Sequence, residues 1–163
     1  MADIVRQISD QVDSTLELCD AIQKAGCWVL EDKITMRKSL LLDLLSFCMY
    51  LCCSDGTIKQ DEADYIRVVL GYDMTPAEIS QFVKDNHIYS TKFESEVPTV
   101  IRGVYIAGEM LKRKGFQGDL LAQFIEVYKS VGAGILAVDA NLTDSERNDY
   151  NIFINTLISY YNA

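Results

Sequence analysis

The chain has 163 residues, 49% of them hydrophobic and 24% charged, which is a globular composition at a length that suits one domain. Twenty-four acidic side chains stand against 15 basic ones, for a net charge of −9. That balance excludes a nucleic-acid binder, which needs a basic patch for phosphate, and disfavours docking on an anionic membrane surface. It admits a divalent cation or a protein partner with a basic surface.

Ile4, Ile8, Val12 and Leu16 recur every fourth residue and predict an amphipathic helix over residues 2–25, ended by Gly26. Its opening, MADIVRQISDQVDSTLELCD, carries acids where a secretion signal needs a basic n-region and an apolar stretch. A second helix is expected from near Trp28 to Cys53, with a break near Thr35. It holds the longest apolar run, LLLDLLSFCMYLCC, from Leu40 to Cys53. Those 14 residues include Asp43 and Ser46 and fall short of the roughly 20 that cross a bilayer. No direct membrane insertion is expected, and the chain reads as soluble and cytoplasmic. A segment apolar on nearly every side belongs at the centre of a bundle.

Asp55-Gly56 breaks the second helix, and a third follows over about Gln60–Leu70. Thr75-Pro76-Ala77-Glu78 is a start signal, with Thr at N-cap, Pro at N1 and Glu at N3, for a fourth helix to about Lys84. The stretch DNHIYSTKFESEV has no clear period and reads as a connection. Pro98 opens a fifth helix, with Ile101, Val104, Tyr105 and Gly108 on one face, closed by KRKG. A sixth runs over about Asp119–Val138 with Gly132 and Gly134 inside it. Interior glycine costs about 1 kcal/mol against alanine, so close approach to a neighbouring helix is expected there. Thr143-Asp144-Ser145-Glu146 is a capping box that starts the last helix, through about Tyr160. No alternating run bounded by hairpin turns appears. The expectation is one all-α domain over residues 1–163, a bundle of about seven helices.

Two turns are alike. SDGTIKQDEADYI and VDANLTDSERNDY share the pattern D-[GA]-x-[IL]-x-x-x-E at a separation of 84 residues: Asp55 with Asp139, Gly56 with Ala140, Ile58 with Leu142, Glu62 with Glu146. Each follows a long apolar helix and precedes an amphipathic one, which makes two helix–turn–helix units over about 40–71 and 122–157. Turn-making explains every position. Glycine ends a helix, the aliphatic residue points inward, the aspartate caps the turn, and the glutamate at N3 accepts backbone N–H bonds at the helix's positive end. An EF-hand would also place Gly56, Ile58 and Glu62 at positions 6, 8 and 12 of its loop. Positions 1 and 3 would then be Leu51 and Cys53, or Ile135 and Ala137, which supply no side-chain oxygen. A standard EF-hand is excluded. Four carboxylates, Asp55, Glu62, Asp139 and Glu146, remain as candidate ligands for a hard cation such as Ca²⁺ or Mg²⁺ if the two turns meet.

The stretch LLSFCMYLCCSDGTIKQDEADYI resembles the TerB-like family in its apolar helix, DG turn, following aliphatic residue and glutamate. GILAVDANLTDSERNDYNIFI looks like a second copy with alanine in place of the glycine. The resemblance implies an all-helical domain, generally cytoplasmic in bacteria. It implies a module for protein interaction or sensing in tellurite-resistance, stress-response or envelope-associated systems, found with DnaJ-type co-chaperones or fused to an ATPase. It also implies metal-binding acids in some members, which here would be Asp55, Glu62, Asp139 and Glu146. Lys59 departs from the pattern, standing where an N-cap Ser or Thr is natural, whereas Thr143 fills that place in the second copy.

No catalytic fingerprint is present: no G-x-S-x-G, P-loop, Rossmann glycines or HExxH. The only histidine, His87, lies in the connection. Cys27, near a helix start, has no base beside it in sequence. The five cysteines form no CxxC pair and read as reduced core thiols. A non-enzymatic module is the expectation.

Overall fold

A computed structural model describes residues 2–30, 33–52, 58–86, 96–138 and 142–163. Seven helices account for most of them: α1 (Ala2–Lys24), α2 (Met36–Cys52), α3 (Gln60–Leu70), α4 (Pro76–Asp85), α5 (Thr99–Lys112), α6 (Leu120–Val138) and α7 (Asp144–Asn162). No strand occurs among the described residues. The all-α bundle expected from the periodicity is the observed architecture.

Two helices form its centre. α2 packs on each of the other six, and α6 packs on α1, α2, α3, α5 and α7. Both are apolar on nearly all sides, so neither has a wide face to give to water. Eight of the positions buried in α2 have a buried counterpart 84 residues on in α6, whereas Leu45 and Met49 are buried where Lys129 and Ala133 are not. Met36 and Leu120, Leu40 and Phe124, Leu44 and Tyr128, Phe47 and Val131, Cys48 and Gly132, Tyr50 and Gly134, Leu51 and Ile135, and Cys52 and Leu136 are all buried. By length and composition α6 could also span a bilayer, unlike the shorter run of α2. Here it is the core helix, with eleven of its residues buried against its neighbours.

The glycines of α6 allow that crowding. A Cβ on Gly132 would lie 2.7 Å from Tyr150 Cε2 and 2.8 Å from Phe47 Cε2. One on Gly134 would lie 2.7 Å from Ile8 Cδ1 and 2.9 Å from Tyr65 Cζ. The close approach predicted at these positions is therefore present, to α2 and α7 at the first and to α1 and α3 at the second. Tyr65 uses the proximity to donate its hydroxyl to the Val131 carbonyl at 2.8 Å.

Helix 2 starts later than the sequence suggests. Gly26, at φ 75°, turns the chain out of α1, and Cys27 N–H bonds back to the Ile22 carbonyl at 3.1 Å. Residues 27–30 and 33–35 are not helical. Thr35 Oγ1 caps α2 by accepting from Lys38 N–H at 3.2 Å, and Gln23 Oε1 reaches across from α1 to accept from Met36 N–H at 2.8 Å. The Trp28 indole donates to the Ile34 carbonyl at 3.2 Å while its ring lies against Gly103 of α5. Trp28 is buried in this connection, whereas Val29 and Leu30 are exposed.

Two faces also differ from expectation. Ile4 is 53% exposed, so the core stripe of α1 begins at Ile8. Tyr105 is 48% exposed and meets Tyr160 edge-on at 6.0 Å, while Val100, Ile101, Val104 and Ala107 form the buried face of α5. Cys19, Cys27, Cys48 and Cys52 are buried free thiols, as expected of core cysteines.

Candidate functional site

The described parts of the two turns are built alike. Ile58 and Leu142 are half-buried and rest on the core. Glu62 and Glu146 are 2% and 1% exposed, deep for carboxylates. Each sits at N3 of its helix. Glu62 Oε1 accepts the Lys59 backbone N–H at 3.0 Å. Glu146 Oε1 accepts the Thr143 hydroxyl at 3.2 Å, and Thr143 Oγ1 accepts Glu146 N–H at 3.1 Å. Lys59 offers no side-chain cap to α3, so there the glutamate alone makes the reciprocal bond.

Asp55 and Asp139 lie outside the described residues, as does His87. A cation of the Ca²⁺ or Mg²⁺ type takes about six to eight oxygens, water included. The described part of each turn brings one of the four candidate carboxylates, Glu62 or Glu146, with one oxygen already in a cap. Among the described residues no group of three or more His, Cys, Asp or Glu side chains gathers. The described residues fit capping better than a cation cage.

A second polar feature lies on α2. Asp43, which interrupts the apolar run, accepts a hydrogen bond from the hydroxyl of fully buried Tyr128 on α6. Burial, then the Asp43 charge and hydrogen bond, hold the Tyr128 phenol well above its ordinary range, so it stays protonated and donates. Asp43 opens onto a cleft of about 290 Å³ shared with Ile34, Ser39, Leu42, Ser46, Thr99 and Val100. In the sequence this aspartate shows only as a break in an apolar run. Its partner lies 85 residues away, and no local pattern reports it.

A more apolar opening lies between α1 and α3. It encloses about 470 Å³ and is lined by Val5, Arg6 and Ser9 of α1, Asp61, Asp64, Tyr65 and Val68 of α3, and Val138 at the end of α6. Val68 is 49% exposed. The two helices are tied at its edge where Ser9 Oγ donates to the Val68 carbonyl at 3.3 Å.

Comparison with known protein-family models, with curated proteins and with solved structures finds no match to this chain.

Proposed function

We propose that the chain is a non-catalytic, TerB-like module that binds a protein partner with a basic surface, and that the partner docks on the α1–α3 groove. The observation that carries this is the groove itself, a mostly apolar opening of about 470 Å³ with half-exposed Val68 in its lining. Exposed aliphatic surface rimmed by polar residues is the usual form of an interaction site. The family resemblance of residues 40–71 and 122–157 adds the setting: a bacterial stress-response or envelope-associated system, acting with or fused to an ATPase or chaperone.

Peptides selected from a displayed random library against the folded chain test this reading. They are expected to lose binding to a Val68→Asp variant that melts like the wild type. Peptides that bind wild type and variant alike would place the docking face elsewhere.

The second reading, a divalent-cation module using Asp55, Glu62, Asp139 and Glu146, draws support from the burial of a glutamate at the same place in both turns. It is separable from docking by experiment, because Asp55→Ala and Asp139→Ala change the turns and leave the groove's lining residues intact.

A further inference from the structure

Resting on the docking reading above, we infer that the occupant of the α1–α3 groove is an amphipathic helix with lysine or arginine on its polar face. The first argument is backbone chemistry. Both long walls of the groove are helices, whose peptide groups are paired within themselves, and no strand edge exists among the described residues. An extended peptide laid on Val5, Tyr65, Val68 and Val138 would bury amides without partners, whereas a helix satisfies its own. The α3 wall from Asp61 to Val68 rises about 10 Å, two turns of helix. An incoming helix would therefore seat aliphatic side chains one turn apart.

The second argument is charge. α1 holds five acidic against two basic side chains, one of the five, Asp20, being paired with Arg37 of α2, and α3 holds three against one, so the two helices together are net acidic. By contrast α2 and α5 each carry one net positive charge. Of the acids on the pair only Glu62 is buried. Asp61 and Asp64 stand on the groove's α3 wall. Asp64 meets Arg67 at 3.6 Å, but both are about half exposed, and such a pair contributes little and is readily exchanged. Arg6, on the α1 wall, is the single base of the lining among the described residues. An acidic helix would meet it only by also facing the two aspartates. A second copy of the chain would set one acidic helix pair against another. A basic helix has neither conflict.

Three synthetic peptides test this, each of about 16 residues to give four helical turns. They share leucines at i, i+3, i+4 and i+7 and differ only in a lysine, glutamine or glutamate polar face. Binding to the full chain is read by fluorescence anisotropy at low and raised salt. The lysine peptide is expected to bind about tenfold tighter than the glutamine one, or more, with the difference shrinking as salt rises. The pair Asp61→Asn and Asp64→Asn should remove that preference and leave glutamine-peptide binding intact. Asp85→Asn and Asp144→Asn, on α4 and α7, should leave it unchanged. Equal binding by all three peptides overturns the basic-helix inference and leaves the groove as a docking site. Lysine-peptide binding that Val68→Asn, which breaks the apolar wall without adding charge, does not weaken overturns the groove reading as well. Sedimentation showing a wild-type dimer that Val68→Asp dissociates would assign the groove to a second copy and overturn the inference.

Discussion

The Tyr128 hydroxyl on α6 donates to the Asp43 carboxylate on α2, joining the two central helices through a polar contact. A buried hydroxyl that loses its acceptor bears its whole desolvation cost, about 1–3 kcal/mol. Asp43→Ala is therefore expected to destabilise the fold by that amount in urea titration. Tyr128→Phe, which removes the hydroxyl, should cost less. The double change Asp43→Ala/Tyr128→Phe should be milder than the sum of the two, with a coupling of about 0.5–3 kcal/mol. Strict additivity would show that the contact carries no energy.

Two glycines should respond in opposite senses to alanine. Gly134→Ala gains about 1 kcal/mol of helix propensity but drives a methyl into Ile8 and Tyr65. The Tyr65–Val131 bond lies in the same contact. Overpacking of about 1–3 kcal/mol should prevail and lower the melting temperature. Gly108, inside α5, has nothing within 4 Å of a built Cβ. Gly108→Ala should raise the melting temperature, by up to about 1 kcal/mol of stability. Matched changes at the two sites would refute the close-packing account of α6.

Much of this fold is legible in local chemistry. Thr75-Pro76 marks the start of α4, and the bond from Glu78 N–H to Thr75 Oγ1 at 3.1 Å is the cap that the pattern implies. Gly132 and Gly134 announce close approach because a helix interior tolerates glycine mainly for space. The 84-residue offset of the two turns extends only in part to the helices before them, where Leu45 and Met49 are buried but Lys129 and Ala133 are not. What local reading misplaces is the segment after Gly26, where apolar spacing continues through a connection held by non-local bonds from Gln23 and Trp28. The site was less legible for the same reason. Asp43 takes its meaning from Tyr128, and the groove exists only where Val5 and Val68 come together, relationships that no window of sequence contains.

The two capping glutamates bear on the cation question directly. If capping is their role, Glu62→Gln and Glu146→Gln keep a side-chain oxygen but lose its charge at a helix N-terminus, a loss of about 0.5–2 kcal/mol each. That loss should be the same in chelator and in excess Ca²⁺, Mg²⁺, Mn²⁺ or Zn²⁺. Wild-type melting should likewise be insensitive to these cations. A cation at 100 times its Kd would stabilise the native state by about 2.7 kcal/mol, which a melt resolves easily. A metal-specific shift abolished in both Asp55→Ala and Asp139→Ala would instead establish the shared acidic site.

The buried thiols are expected to weaken the fold as the solution becomes alkaline. Burial, and then the charge of Asp20, push the Cys19 thiol from 9.0 up to about 12. Burial alone pushes Cys48 higher still. Both folded values lie above the unfolded ones, so above pH 9 the unfolded chain has released protons that the folded chain still holds. The stability contribution is complete below about pH 9 and is lost as pH climbs toward the folded values. Inside that window each thiol contributes a slope of about 1.4 kcal/mol per pH unit. Urea titrations from neutral pH into the alkaline range should show a plateau followed by a steep decline. Cys19→Ala with Cys48→Ala should lower the plateau, through lost packing, and flatten the early decline. The burial-raised phenols of Tyr65 and Tyr128 should remain as the source of any fall beyond their ordinary value of 10.0. A decline as steep in the alanine pair as in the wild type would exclude the thiols as its cause.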